Sequence, residues 1–476
     1  MLRQLYSPTL GLLTDLYQIT MAYGYWKSGL SEVNTTFQLF FRKAPFGGTS
    51  AVTAGLETAL QLIEQFSFST SDIEYLRTQT GNDGKTLFEE AFLQYLFDLK
   101  IAVDIDGIPE GTSVLAHTPI IRVTGNVVHC QLLESALLTC MNFQTLIATK
   151  ARRVCLAANG DTVLEFGLRR AQGFDGALSA TRAAYIGGVH ATSNVLAGKL
   201  LDIPIKGTHA HAWVMMFDSE REAFEAYART MPNNCVFLVD TYDTHQGVRT
   251  AIEVGKHLRS LGHEMLGIRL DSGDLVALSI DARRMLNEAG FPKAKIVASD
   301  SLNEHRIKEL KDNGAQIDIW GVGTNLVTAQ DQPALGGVYK LSAQQTTTDS
   351  EWIPKIKLSN SAIKVSNPGR LQVHRCTTPE GEWVADIMGD LSETDINTAN
   401  LHHLDGTKAT VPKELTLTPL LQPFLRNGIR VKPPESIHQM RSRGQQRQTG
   451  YPAIPLLTKK TWLIKKRLID HHRPIK

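Results

Sequence analysis

The chain has 476 residues, with 50 basic and 48 acidic side chains, a formal net charge of +2 and 42% hydrophobic residues, which describes a globular protein of two to four domains and argues against extensive disorder. No apolar run reaches the roughly 18 residues that a membrane span needs, and Met1–Pro8 lacks the basic-then-apolar pattern of a secretory signal. The five cysteines (Cys130, Cys140, Cys155, Cys235 and Cys376) are scattered and never form Cys-x-x-Cys, so the expectation is a cytoplasmic protein with buried, reduced thiols.

In chain order, Leu12 to Trp26 and Leu87 to Leu99 carry helix-spaced apolar residues, while Thr35 to Phe41 alternates as a strand. We read residues 1–150 as an α+β domain. From about Asp161 the pattern becomes short β-rich runs separated by helical stretches. The strands expected are Thr162–Phe166, Ile203–Lys206, Val236–Asp240, Leu266–Asp271, Lys295–Ser299 and Ile317–Gly321, with helices around 281–289 and 303–313 stopped by Gly290 and Gly314. This alternation predicts an α/β fold with a parallel sheet, either doubly wound or a TIM-like βα barrel, over residues 151–345. A Thr-rich loop spans Gln344 to Ser350, and residues 346–476 read as a C-terminal extension packing on the first two domains. Its end is basic, with thirteen Lys or Arg from Arg426 to Lys476 against Glu435 and Asp470. Such a tail can bind nucleic acid. Interruption by Pro433, Pro434, Pro452 and Pro455, and an amphipathic stretch at Thr461–Asp470, favour a helix docked on the body instead.

In parallel α/β folds ligands bind where strands end, and five of the expected strands end in polar clusters. Phe166 leads into Gly167-Leu-Arg-Arg170, Lys206 into Gly207-Thr-His-Ala-His211, and Val239 into Asp240-Thr-Tyr-Asp-Thr244. Ile268 leads into Arg269-Leu-Asp-Ser-Gly-Asp274, and Trp320 into Gly321-Val-Gly-Thr324. Together they point to one composite site. Gly321 and Gly323 at a strand-to-helix junction suit a phosphate cradle, although a plain tight turn has the same look and Leu326 stands where a dinucleotide fingerprint needs glycine. Asp271 and Asp274 beside Arg269 suit Mg²⁺ through water, ribose hydroxyls and anionic oxygens; helix capping competes for Asp274. His209 and His211 fit either a metal pair of a hydrolase or a histidine acting as acid, base or nucleophile. Arg169 and Arg170 beside Phe166 suit a flat anionic substrate on an aromatic face, with surface salt bridges as the alternative.

These segments resemble the nicotinate phosphoribosyltransferase family over residues 12 to 341. The resemblance runs through Leu13-Thr-Asp-Leu-Tyr-Gln18, Phe41-Arg-Lys43 with Gly47-Gly48, Asn142-Phe-Gln-Thr-Leu-Ile-Ala-Thr-Lys150 and Glu165-Phe-Gly-Leu-Arg-Arg-Ala-Gln-Gly173. It continues through Gly207–His211, Val239–Asp243, Arg269–Asp274 and Gly321–Thr324. It implies an irregular βα barrel, and transfer of phosphoribosyl from 5-phosphoribosyl-1-pyrophosphate to nicotinate, coupled to ATP hydrolysis with Mg²⁺, in NAD salvage. By the same resemblance Gly321, Gly323 and Thr324 take the 5′-phosphate, and Asp240 and Asp271 the ribose and metal region, with Asp274 as a second metal candidate. His211 becomes the phosphohistidine. Tyr17, from the partner subunit of a homodimer, and Phe166 sandwich the pyridine ring, with Arg169 and Arg269 facing its carboxylate. Ser193 stands near the position where the nicotinamide-preferring relative carries aspartate, which favours nicotinate over nicotinamide. His209 is given no role, and the region beyond about Ser342 resembles the family only loosely. Transfer to nicotinamide and a His-x-His metal hydrolase are the competing readings.

Overall fold

A computed structural model of the chain describes residues 9–347, 350–446 and 455–472. Met1–Pro8, part of the Thr-rich stretch before Ser350, and part of the basic tail including Pro452 lie outside the described residues. The chain forms two compact units, one of residues 1–146 with 334–476 and one of residues 147–333.

In the first unit, helix α1 (Leu16–Lys27) precedes β1 (Asn34–Phe41), which pairs antiparallel with β3 (Ile121–Asn126), itself paired with β2 (Val103–Gly107). Alternation predicts one buried face for β1, yet Thr35 through Phe41 are all buried. Both faces of this strand are therefore covered. Helix α2 (Glu134–Ala158) follows, and its residues from Ile147 onward belong to the second unit.

The second unit is built on a six-stranded sheet. Its strands are β4 (Thr162–Glu165), β5 (Ala191–Thr192), β6 (Val236–Leu238), β7 (Gly267–Leu270), β8 (Lys295–Ala298) and β9 (Ile319–Val322), ordered β5-β4-β9-β8-β7-β6. Every neighbouring pair is parallel. The intervening helices include α3 (Gly173–Ile186), α4 (His211–Met215), α5 (Glu220–Thr230), α6 (Thr244–Ser260), α7 (Leu275–Glu288), α8 (Glu304–Asp312) and α9 (Thr324–Val327). Val163, Phe237, Ile268, Ile296, Trp320 and Val322 are buried, as expected for strands covered on both faces. Polar residues just past the strands start the helices. Asp243 accepts from the Gln246 N–H, and Asn303 from those of His305 and Arg306, each satisfying first-turn donors.

Strand order and parallel pairing agree with the α/β expectation. The closed TIM-like barrel does not appear: among the described residues no ladder joins β5 to β6. The expected strand Ile203–Lys206 makes one parallel bridge, Ile205 with Thr192. Pro204 lacks a donor and the chain departs at Gly207, so no ladder develops.

The chain then returns to the first unit. Strand β10 (Gly337–Gln345) pairs antiparallel with β1, stacking Tyr339 on Phe37 at 4.8 Å. A second sheet contains β11 (Leu371–Thr377), β12 (Trp383–Asp390) and β14 (Leu456–Thr458), while β13 (Gln422–Arg426) joins the first beside β2. Helix α10 (Lys459–His472) is the amphipathic stretch expected at the basic end. It buries Thr461 and Lys465, whose Nζ donates to Asn367 Oδ1 at 2.9 Å. Cys130, Cys235 and Cys376 are buried, and none of the five cysteines forms a disulfide. No helix of the described residues is long and apolar enough to cross a membrane.

Candidate active site

Within residues 147–333 the strand-end residues meet around Asp271. Its Oδ1 accepts from Arg269 Nη2 at 2.8 Å and from the Ser299 hydroxyl, and its Oδ2 lies 3.6 Å from His211 Nε2. The last is too long for a hydrogen bond. Arg269 is also held by Ser299 Oγ at 2.8 Å and Thr208 Oγ1 at 3.1 Å, so its planar fork has a fixed orientation. Asp240 Oδ2 accepts the Asp271 N–H at 2.8 Å and the Ser272 hydroxyl at 2.7 Å. Burial alone would raise the Asp271 carboxyl. The Ser299 hydroxyl and Arg269, with His211 beyond, outweigh it and hold Asp271 below the usual carboxylate range.

Phe166 closes another side, its ring 5.9 Å from the Arg269 guanidinium. A Cβ at Gly321 would sit 2.7 Å from that ring, so glycine is required there for the ring to pack. Gly323 and Thr324 form the turn that opens α9, whose first N–H groups have no partner within the helix. The Ser193 N–H donates to the Glu165 carbonyl at 3.0 Å, next to Phe166 in the chain. Glu165 itself is buried and engaged by Thr181 at 3.0 Å and Thr192 at 2.6 Å. Arg169 is exposed, in a 3-10 turn over Leu168–Arg170, and makes no hydrogen bond or ion pair among the described residues. Tyr17 belongs to the other unit, on α1, and is 48% exposed.

The two histidines part company. His209 Nε2 accepts the Leu238 N–H at 3.2 Å, and burial, then the Arg269 and His211 charges, pull its pKa down to about 4 against the raising effect of the Ala210 carbonyl. It is a neutral ring bonded to the edge of β6. His211 starts α4, with Nδ1 3.2 Å from Thr241 Oγ1. Among the described residues no group of three or more His, Cys, Asp or Glu is arranged to hold a metal ion. Asp274 caps α7, its Oδ1 accepting from the Val276 and Ala277 N–H groups at 3.1 and 3.2 Å.

A divalent cation held mainly through substrate phosphates and water needs only one or two carboxylates. Asp240 fits that demand, because its Oδ1 is buried and has no hydrogen-bond partner among the described residues. Glu220, at the start of α5, is pushed up to about 7 by burial first and then by the Asp243 and Asp240 charges.

Sequence reading missed Ser299, Thr241, Thr208 and Glu220. Ser299 had a signal, since it ends an expected strand and is followed by Asp300 and Ser301, a sixth polar cluster. Thr208 and Thr241 lay inside motifs already singled out, where only the acidic and basic residues drew attention.

Two family models match the chain: the nicotinate phosphoribosyltransferase N-terminal domain over residues 12–142 and the nicotinate phosphoribosyltransferase family over residues 162–372. The nicotinate phosphoribosyltransferase of Bacillus subtilis (strain 168) is 48% identical over 383 residues, covering 79% of this chain and 76% of the relative. That of Dictyostelium discoideum is 42% identical over 427 residues, covering 80% and 71%. The crystal structure of human nicotinic acid phosphoribosyltransferase superposes with a TM-score of 0.82 at 28% identity, covering 96% of this chain and 99% of that one. On these matches, and in agreement with the motifs read from the sequence, the chain belongs to the nicotinate phosphoribosyltransferase family.

Proposed function

We propose that this protein transfers phosphoribosyl from 5-phosphoribosyl-1-pyrophosphate to nicotinate, forming nicotinate mononucleotide and pyrophosphate. The observation that carries the reading is the convergence of Phe166, Arg269, Asp271, Asp240 and His211 at strand ends of a chain 48% identical to a nicotinate phosphoribosyltransferase. In the reaction the pyridine nitrogen forms a bond to the anomeric carbon as the bond to pyrophosphate breaks. The protein's task is chiefly to hold the two reactants in line. The Phe166 face and the oriented Arg269 guanidinium suit a flat ring bearing a carboxylate, and exposed Arg169 supplies a second cation. Neutral Ser193 leaves room for an acid, and the nearby Glu165 carboxylate is already engaged by Thr181 and Thr192, which favours nicotinate over nicotinamide.

Gly321, Gly323 and Thr324 take the 5′-phosphate in this reading, and Asp240 and Asp271 face the ribose. Mg²⁺ would offset the charge of the departing pyrophosphate, and Asp240 and Asp271 would hold it, with Asp274 as a further candidate. ATP is the co-substrate and His211 accepts its terminal phosphoryl group. Asp271 beside Nε2 favours a proton on that nitrogen, which leaves the Nδ1 lone pair toward Thr241 available. The exposed apolar side chains Leu13, Leu16, Tyr17 and Met21 support a homodimer in which Tyr17 meets the partner's pyridine site. His209 bridging to the edge of β6 supports an irregular barrel rather than a flat sheet.

The test is product formation by purified protein from the phosphoribosyl donor and Mg²⁺, with nicotinate or nicotinamide, each with and without ATP. Nicotinate mononucleotide formed preferentially and increased by ATP is expected; no product from either base rejects the reading. His211→Ala should abolish ATP hydrolysis and keep a slow ATP-independent transfer, and undiminished hydrolysis would exclude the phosphohistidine.

A further inference from the structure

The motif that ends in Lys150 has no part in the contacts described so far. Lys150 lies on α2 with its side chain fully buried, and its ammonium meets two carboxylates, Glu304 at 2.7 Å and Asp331. Arg153, nearly one turn further on, donates Nε to Glu304 Oε1 at 2.8 Å. Glu304 opens α8, just past the loop that leaves β8, whereas Asp331 follows α9, past the loop that leaves β9. One buried cation thus ties the loop that opens α8 to the turn that follows α9, the four-residue helix that the β9 loop opens. Asn325 ties them a second time, its Nδ2 donating to the Ser301 and Leu302 carbonyls at 2.8 and 3.0 Å.

Both loops hold backbone conformations that L residues rarely adopt. Asp300, Ser301 and Ala329 have φ values of 107°, 45° and 46°. Such residues persist only where their surroundings over-determine them, and they cluster at functional sites. A buried ammonium with two carboxylates is a poor source of net stability but a good source of a single geometry. The first of these loops begins at Ser299, which orients Arg269 and Asp271, and the second lies one short helix beyond the Gly323–Thr324 turn.

We propose that Lys150, with Glu304 and Asp331, is a positioning device that holds the β8 and β9 loops in the geometry that receives the 5′-phosphate of the phosphoribosyl donor. The inference rests on the phosphate reading of Gly321–Thr324. Asp331 is half exposed, so Asp331→Asn removes its charge without threatening the core, and Asp331→Glu restores it. Lys150→Met is the harsher variant. The experiment pairs steady-state kinetics with amide hydrogen exchange of the two loops in the absence of substrate. In Asp331→Asn the KM for the phosphoribosyl donor should rise about tenfold, with kcat and the KM for nicotinate within about twofold of wild type and Asp331→Glu close to wild type. Exchange across residues 300–303 and 323–330 should accelerate in both Asp331→Asn and Lys150→Met. An unchanged donor KM in Asp331→Asn, whether or not exchange accelerates, overturns the proposal. A wild-type protein that forms no product would reject the proposed function instead; loop exchange, with calorimetric binding of ribose 5-phosphate, would then still decide the clamp.

Discussion

The Arg375–Asp386 pair of the first unit and the Arg269–Asp271 pair of the second have similar bond lengths, 2.9 and 2.8 Å, and opposite surroundings. Asp386 is fully buried. Both of its oxygens are taken by Arg375, Trp383 Nε1 adds a bond at 2.9 Å, and the Arg375 guanidinium lies 3.9 Å from the centre of the Trp383 ring. Burial raises the Asp386 carboxyl in spite of Arg375. Asp271 is 30% exposed and held low, and the adjoining Asp240 keeps an oxygen without a partner. A pair that serves the fold is closed on itself, whereas one placed to serve chemistry keeps its charge and leaves hydrogen-bonding capacity unused.

That contrast can be broken at either pair. Arg375→Met leaves Asp386 buried without its cation, and the expected loss is about 3–5 kcal/mol in urea unfolding with kcat of the folded fraction unchanged; a loss under about 1 kcal/mol would show that the closed network is dispensable. Arg269→Lys keeps the charge but loses the planar fork. Its kcat/KM should fall about a hundredfold, or about 2.7 kcal/mol, with little change in melting temperature, and a melting shift without an activity loss would make this pair structural as well. Tyr17→Ala tests the aromatic contribution expected from the partner subunit, with nicotinate binding weakened about tenfold. Wild-type binding in that variant would refute the stacking role.

The smallest expected effect sharpens the electrostatic side of the comparison. Glu220 keeps its proton to about pH 7 when folded and loses it near its ordinary 4.5 when unfolded. The folded state therefore binds more protons in that window, and stability falls as pH rises through it. Glu220→Gln should match wild type below pH 4.5 and gain about 1–2 °C in melting temperature above pH 7, the partial exposure of the side chain keeping the effect small. A gain confined to acid pH would have the wrong sign.

Much of the second unit was legible because its signals are local. Short buried runs, glycine stops and capping residues lie within a few positions of one another, so β4, β6, β7, β8 and β9 appear where the sequence puts them. Closure was not legible, since the pairing of Ile203–Lys206 depends on Pro204, on Gly207 and on a histidine ring that bonds the edge of β6. At the site, acidic and basic residues were easy to select by type. Their hydroxyl partners Ser299, Thr241 and Thr208 were not, because serine and threonine are common and only their contacts distinguish them.

The sequence by itself determined the alternation of strands and helices, the gathering of Arg269, Asp271, Asp240, His211 and the Gly321–Thr324 turn at strand ends, and the family to which the chain belongs. All of these rest on periodicity and on motifs a few residues long. Only the tertiary structure decided that Asp271 is shared among Arg269, Ser299 and His211, that His209 is neutral and bonded to β6, and that Lys150 finds a carboxylate 181 residues away in Asp331. Which polar atoms meet across such separations follows from how whole elements pack, and neighbouring residues carry no record of it.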